Sequence, residues 1–243
     1  MMQSYLWPDG YFSTALDNLL KISNKKQLLK DARYLEKYVI DKNNIYLAFR
    51  LATELGNLNI KIGKLENFII NFKKGDYFHP IWLIRFAKVV KGANIKKLQD
   101  AIIKHNNIHF IAEFGCFVKG SDKKFIEKII IKSGNPKAAY LYLSYVKSCN
   151  INNLKYIVFK SKKPRYLYAL AKRTTSKKDI EIIQDLILKG GSYMYIRLFA
   201  QFIKGADVKK CEDVIIVSGD IDQMKKFAKA VKSPRLSKLS LLF

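Results

Sequence analysis

The chain has 243 residues, 49% of them hydrophobic, and is therefore long enough to bury a substantial core. Its 45 Lys and Arg residues outnumber 20 Asp and Glu residues, which gives a net charge of +25 and favours polyanionic partners. Three dispersed cysteines exclude a disulfide framework, and because neither a signal-peptide pattern nor a membrane-length apolar run occurs, we expect an intracellular protein.

Residues 1–80 are the least regular part of the sequence. They carry 12 basic and 8 acidic side chains, and extra residues near 56–63 and 75–80 break the spacing of the apolar positions. We predict that they form N-terminal irregular or capping repeats. Residues 81–243 carry 33 basic and 12 acidic side chains, and we predict that they form regular basic helical repeats in one continuous series.

The regular series becomes visible when the chain is compared with itself. Residues 86–104 are echoed most closely by residues 199–217, and one central apolar residue recurs at steps of 30, 33, 28, 28, 29, 28 and 28 residues. The central residues are Leu35, Leu65, Leu98, Ile126, Leu154, Ile183, Cys211 and Leu239.

Each repeat is predicted to contain two helices. The first helix ends near a glycine such as Gly92, which can adopt the left-handed conformation that follows many helices. The second helix begins after an Asn or Asp cap and carries an apolar stripe at helical spacing, as Ile95, Leu98 and Ile102 do. The predicted N-cap residues are Asn94, Asp122, Asn150, Asp179 and Asp207.

The predicted fold follows from the shortness of these helices. A pair of helices of about three turns each cannot bury both of its apolar faces, so neighbouring repeats must stack. We predict an all-α fold, a right-handed α-solenoid of about seven helix–turn–helix repeats of 28–33 residues. Its C-terminal edge, residues 238–243, ends on apolar residues and is predicted to pack on a partner, on a segment absent from this chain or, end to end, on a second copy.

The repeat also carries a resemblance to known sequences. The recurring string Phe-Ala-Lys-x-Val-Lys-Gly-Ala-Asp-Ile-x-Lys-Leu-Glu-Asp-Ala-Ile-Ile resembles short tandem α-helical repeats in uncharacterised proteins of large DNA viruses and some bacteria, and it spans residues 81–240. The architecture is similar, more loosely, to HEAT and armadillo solenoids, whose repeats are longer. This resemblance implies a fold and carries over no functional residue.

Lysines recur at equivalent places in the repeat and suggest what the protein binds. They follow the first helix, open the second helix, and interleave with aromatic residues in the segment 160–168. Because stacked repeats align equivalent positions, we predict a basic stripe that binds nucleic-acid phosphates without base preference. The predicted binding residues are Lys91, Lys96, Lys97, Lys119, Lys123, Lys124, Lys162, Lys163, Arg165, Lys204, Lys209 and Lys210.

These residues have other interpretations. A lysine in the last turn of a helix complements the helix dipole, but that explanation fails for lysines that open a helix. Tyr166 and Tyr168 are expected to pack between repeats, and the three cysteines to be buried structural residues. Nucleic acid, either DNA or RNA, is the predicted partner. The alternatives are an adaptor for an acidic protein and a structural or virion-packaged protein.

No catalytic or cofactor motif is found in the sequence. The glycines are isolated helix stops, and the predicted helix end between His105 and His109 disfavours a shared metal ion. We therefore predict a non-enzymatic protein without cofactor or metal, with helical-repeat DNA glycosylase-like activity as the enzymatic alternative. The acids expected to pair with lysines at helical spacing are Asp100, Glu127, Asp185, Glu212 and Asp213.

Overall fold

The structure is a computed structural model of the chain, and it describes residues 10–72 and 79–239. Within those two ranges it contains sixteen helices and no strand, which confirms the all-α prediction. The chain divides into two compact units, Met1–Ser121 and Asp122–Phe243. The division of the sequence at residue 80 into irregular and regular repeats stays a prediction.

The helices follow one another with short connections. Unit 1 contains α1 (Gly10–Leu20), α2 (Lys25–Asp41), α3 (Ile45–Asn57), α4 (Gly63–Asn71), α5 (His79–Val89), α6 (Ile95–Lys104) and α7 (Ile108–Phe117). Unit 2 contains α8 (Lys123–Ser133), α9 (Pro136–Tyr145), α10 (Ile151–Ser161), α11 (Pro164–Ala171), α12 (Lys177–Lys189), α13 (Tyr193–Phe202), α14 (Val208–Val217), α15 (Ile221–Val231) and α16 (Pro234–Leu239). Odd-numbered helices are the first helices of the sequence repeat and even-numbered helices are the second helices.

Packing within each unit follows the order of the chain. In unit 2 the first helices pack in succession, α9 on α11, α11 on α13 and α13 on α15, and the second helix α8 packs on α10. In unit 1 the first helix α5 packs on α7 and the second helix α2 packs on α4. Each helix thus contacts helices of the same class as well as its neighbour in sequence, as repeated units require when one pair cannot bury its own apolar faces.

The central apolar residues form the core, as their periodicity predicts. The first seven, from Leu35 to Cys211, are 2% exposed or less. The eighth central residue, Leu239, stays a prediction because its side chain lies outside the described part of the chain; Leu236, on the same helix, is fully buried.

Four of the five predicted N-caps are confirmed, since the side chains of Asn94, Asp122, Asn150 and Asp207 accept backbone N–H groups of the helices that follow. Asp179 is not a cap. Ser176 caps α12 by accepting the amide of Asp179, which places Asp179 one turn further along. There the Asp179 carboxylate is buried and accepts two hydrogen bonds from Lys155 Nζ at 3.1 and 3.2 Å.

In several second helices, a polar side chain next to the central residue forms a link to the following second helix. Glu66 Oε1 in α4 accepts the amide of Asn94 at 2.7 Å, directly before α6. In α12, buried Gln184 donates to the carbonyl of Asp207 at 2.7 Å and accepts the Asp207 amide at 2.9 Å. These bonds fix the start of one second helix against the side of its predecessor and satisfy backbone groups that the helix leaves unpaired.

The acids pair between helices, which corrects the expectation of pairing at helical spacing. Asp185 in α12 lies 2.6 Å from Lys210 in α14, and Asp213 in α14 lies 2.7 Å from Arg235 in α16. Glu127 accepts a backbone amide of the next repeat instead of a lysine. Their partners are 22 to 25 residues away, so the stacking of second helices brings them together.

Among the described helices, none combines the length and apolar character that a membrane crossing requires. The terminal part of the predicted C-terminal edge, residues 240–243, lies outside the described residues. So do residues 73–78, which include most of the irregular stretch near 75–80.

Candidate nucleic-acid interface

Three of the predicted lysines lie in the turns that join a first helix to a second helix. Lys91, Lys119 and Lys204 are each the second residue of a four-residue turn, closed by backbone hydrogen bonds of 3.3, 3.4 and 3.1 Å. The third residue of each turn is a glycine with φ between 81 and 88°, a conformation that this turn type requires. The three lysines are exposed and lie beyond the last helical turn, so helix-dipole compensation does not explain their recurrence.

The predicted pairs that open the second helices are exposed, but their two members differ. Lys97 Nζ donates to Asn67 Oδ1 on the preceding second helix, and Lys210 Nζ binds Asp185 in the same manner. The hydrogen bond that Lys210 donates to Asp185 and the negative charge of Asp185 raise the pKa of Lys210. Asp185 therefore interrupts the predicted cationic row at Lys210. Both lysines of the remaining pair, Lys123 and Lys124, are exposed, as are Lys96 and Lys209.

Two other acids near these lysines serve the helix starts. Asp122 and Asp207 are N-caps whose carboxylates accept backbone N–H groups and offset the partial positive charge of the helix end. The positive charge of the exposed lysines around them is thus larger than the negative charge left on these acids.

We call the exposed lysines that lie in the turns after first helices, or at the starts of second helices, from the start of α8 to the start of α14, the turn edge of unit 2; Lys210, which pairs with Asp185, is not included. Its members are Lys123, Lys124, Lys147, Lys172, Lys177, Lys178, Lys204 and Lys209, all exposed.

Successive turns of unit 2 are held against one another. The Arg173 guanidinium, after α11, donates to the carbonyl of Lys147 at 2.9 Å and to that of Val146 at 3.4 Å, as well as to the carbonyl of Leu143. Arg173 therefore binds the end of α9 and contributes to structure instead of to the exposed basic surface. The sequence analysis counted its position only as part of a dense cluster of basic residues.

The cluster between α10 and α11 lies on tyrosines. Arg165 Nε donates to the hydroxyl of Tyr140 at 3.1 Å, and its guanidinium lies 5.2 Å from the centre of that ring. Lys163 Nζ lies 5.5 Å from the centre of the Tyr166 ring, which stacks on Tyr140 with 4.6 Å between centroids. The expectation that tyrosines of the first helices pack between repeats is confirmed here, and Lys162, at the end of α10, is exposed beside them.

An acid-free segment distinguishes unit 2 and was not noticed in the sequence analysis. Residues 128–178 contain 13 Lys and Arg residues and no Asp or Glu. Eleven of the thirteen basic side chains are exposed; the other two are Lys155, which pairs with Asp179, and Arg173. A scan for the spacing of acids would have found this segment, because it needs no knowledge of the fold. It concentrates positive potential on unit 2.

The nucleophilic and metal-binding side chains do not assemble into a reactive site among the described residues. Burial raises the pKa of the Cys211 thiol to about 12 and also raises that of Cys149, so both favour the unreactive thiol. Cys116 is half-buried, which corrects the expectation of three buried cysteines. Within residues 10–72 and 79–239, no three His, Cys, Asp or Glu side chains gather closely enough to hold a metal ion.

Comparisons with known proteins leave the family open. No protein-family model and no curated protein matches the sequence. Among solved structures, a chain described as a DHF58 filament is 12% identical over 94% of this chain and 90% of its own, with a TM-score of 0.13. That score carries no argument about fold or function. The resemblance to repeat proteins of large DNA viruses therefore stays a prediction.

Proposed function

We propose that this protein is a non-enzymatic scaffold that binds nucleic acid through its phosphates along the turn edge of unit 2. The observation that supports this proposal is the repeated exposure of lysines on successive turns, beside acids that are tied to helix N-termini. A row of cations facing a row of phosphates releases condensed counterions, which provides affinity without sequence preference.

The proposal includes an architecture that keeps the lysines in register. The helical pairs of each unit stack as a right-handed α-solenoid, so equivalent residues recur once per repeat along each edge. Two observations support this stacking: first helices contact the next first helices, and Gln184 and Lys155 connect successive second helices.

A repeat deletion tests the stacking. Removing residues 164–191, one complete pair of helices, leaves a shorter solenoid whose α9 and α10 meet α13 and α14 through equivalent surfaces. We expect this variant to keep its helical circular dichroism and to unfold cooperatively. Removing residues 164–177, which takes α11 without its partner, is the control and should prevent cooperative unfolding. Equal loss of structure in both variants would contradict the solenoid.

Two charge-matched variants test the binding surface. The turn-edge variant replaces Lys147, Lys177, Lys204 and Lys209 with Glu, and the control variant replaces Lys132, Lys137, Lys160 and Lys162 with Glu. Each variant replaces four exposed lysines of unit 2, and the control positions lie toward the opposite connections of the repeat. Affinity is measured with fluorescently labelled 20-nucleotide DNA and RNA at low salt.

We expect the turn-edge variant to lose binding by roughly 10³-fold or more and the control variant to lose much less. Equal losses would show that net charge alone attracts nucleic acid and would reject the assigned surface. Salt-insensitive association with an acidic protein, without any binding of nucleic acid by the wild-type protein, would favour the adaptor alternative.

A further inference from the structure

The outward face of the second helices in unit 2 changes its charge along the stack. The residue two positions after the central apolar residue is a lysine or a tyrosine in the first two of these helices and an acid in the next two. From α8 to α14, these residues are Lys128, Tyr156, Asp185 and Asp213. Residues 128–178 contain no acid, whereas residues 179–222 contain eight acids and five basic residues. We call α8 and α10 the cationic half of this face and α12 and α14 the groove half.

The groove half is named after an apolar groove between α12 and α14. Its volume is about 520 Å³, and its lining includes Leu188, Val214 and Val217. Val217 is 86% exposed, and the equivalent residue of the four preceding second helices is a lysine. Because an exposed valine is less favourable in water than the lysine it replaces, the groove calls for an apolar occupant.

The acids at the rim of the groove remain accessible, although each belongs to an ion pair. Oδ1 of Asp185 accepts a hydrogen bond from Lys210, and the Asp185 side chain is 50% exposed. Oδ1 of Asp213 likewise accepts a hydrogen bond from Arg235, and the Asp213 side chain is 49% exposed. A carboxylate can accept about four hydrogen bonds, so both acids can bind a further donor. The ion pairs also balance the charge at this place, which lets a cationic molecule approach.

The cationic half presents an aromatic ring in a fixed orientation. Tyr156 in α10 is 63% exposed. Lys155 Nζ lies 5.5 Å from the centre of its ring, and Phe159 meets the ring edge-on with 6.3 Å between centroids. These contacts hold the ring while most of the residue stays in solvent, which suits a side chain that enters a groove on another molecule. Lys128, at the same repeat position in α8, is exposed as well.

We propose that this face binds the same face of a second copy of the chain, across a two-fold axis that runs parallel to the helices between α10 and α12. Such an axis places α10 of one copy opposite α12 of the other and α8 opposite α14, and each contact occurs twice. Tyr156 enters the groove and donates its hydroxyl to Asp185 of the second copy. Lys128 pairs with Asp213 of the second copy.

The charge pattern of the face favours a second copy as the occupant. The cationic half of each copy covers the groove half of the other, so opposite charges meet and both grooves are filled. The inference goes beyond the function proposed above. Because the axis is parallel to the helices, it places the turn edges of both copies at the same end of the dimer.

Exchanging charges tests the proposed pair. Lys128→Asp and Asp213→Lys each place like charges at both symmetry-related contacts, and the double variant restores opposite charges. The control variants Lys137→Asp and Asp222→Lys make the same changes of charge at exposed residues of the first helices α9 and α15. Sedimentation velocity of nuclease-treated protein over a concentration series measures the dimer dissociation constant, and circular dichroism checks that each variant folds.

We expect the wild-type protein to form a dimer and each single variant to dimerise about 100-fold or more weakly, because like charges then face each other at two contacts. The double variant should recover to within about 10-fold of the wild-type dissociation constant. The control variants should dimerise as the wild-type protein does. Carbodiimide should cross-link Lys128 to Asp213 between copies, which a mixture of isotope-labelled and unlabelled chains identifies by mass spectrometry.

A wild-type protein that stays monomeric at every concentration would overturn the inference. A double variant that dimerises no better than the single variants would also overturn it. Equal weakening by the control variants would show that net charge alone governs association, and oligomers that grow beyond two copies would contradict the two-fold axis. None of these outcomes bears on phosphate binding at the turn edge, which is measured separately.

Discussion

The link from Gln184 to the next repeat gives a quantitative test of how the second helices are joined. Replacing Gln184 with Met keeps the side-chain volume and removes the hydrogen bonds to the amide and carbonyl of Asp207, at 2.9 and 2.7 Å. Gln184 is 3% exposed, whereas Asp207 is exposed and its backbone groups can recover part of their hydration. Each lost bond therefore costs about 0.5–1.5 kcal/mol, and we expect a total loss of about 1–3 kcal/mol.

The neighbouring residue supplies the matched control. Asp185→Asn weakens the ion pair between Asp185 and Lys210, which joins the same two helices but whose side chains are 50% and 52% exposed. Such exposed pairs contribute about 0–1 kcal/mol, so this variant should be nearly as stable as the wild-type protein. Urea unfolding followed by circular dichroism measures both. If Gln184→Met costs no more than Asp185→Asn, the buried link does not stabilise the stack.

Three further predictions concern other positions. Gly56→Ala should destabilise the protein by about 1–3 kcal/mol in thermal or urea unfolding, because the added Cβ would lie 2.6 Å from the carbonyl oxygen of Lys91. Gly63→Ala is the control: a Cβ at Gly63 has no atom within 4 Å, so this variant should be as stable as the wild-type protein or slightly more stable. Burial raises the pKa of the Glu36 carboxyl above 4.5, so the folded protein binds this proton more tightly than the unfolded chain does, and the contribution of Glu36 to stability falls as pH rises through its folded-state pKa. Glu36→Gln should remove that decline in unfolding experiments between pH 4.5 and 7. An unchanged pH profile of the free energy of unfolding would contradict this prediction. Iodoacetamide at pH 8 should modify Cys116 before Cys149 and Cys211, as peptide mass spectrometry can show, because burial raises the pKa values of the latter two; faster modification of Cys211 would be inconsistent with its burial.

Local signals in the sequence were sufficient for the buried central residues and for four of the five predicted helix caps. The period of the central residues identifies the buried positions from Leu35 to Cys211, and an Asn or Asp before each apolar stripe identifies four caps. Asp179 was misassigned because Ser176 stands one turn earlier, and a Ser followed three residues later by an acid is equally typical of a helix start.

The interactions between repeats could not be obtained in the same way. Gln184 and Asp207, or Asp213 and Arg235, are more than 20 residues apart, and only the packing of second helices brings them together. The exposure of Tyr156 and Val217 is similarly a property of the fold, because helical periodicity alone does not separate an apolar residue at the rim of the core from one inside it. The exposure of the lysines could be predicted from the sequence, because they lie in turns and at helix starts.

The dependence of nucleic-acid affinity on salt tests the central claim most directly. Eight turn-edge lysines facing a single strand predict a slope of log K against log salt between about −3 and −6, because each phosphate contact contributes about −0.7. In the turn-edge variant, which lacks four of these lysines, the slope should be less steep by about 3. A slope near zero for the wild-type protein, or an unchanged slope in the variant, would contradict binding of phosphates at this edge.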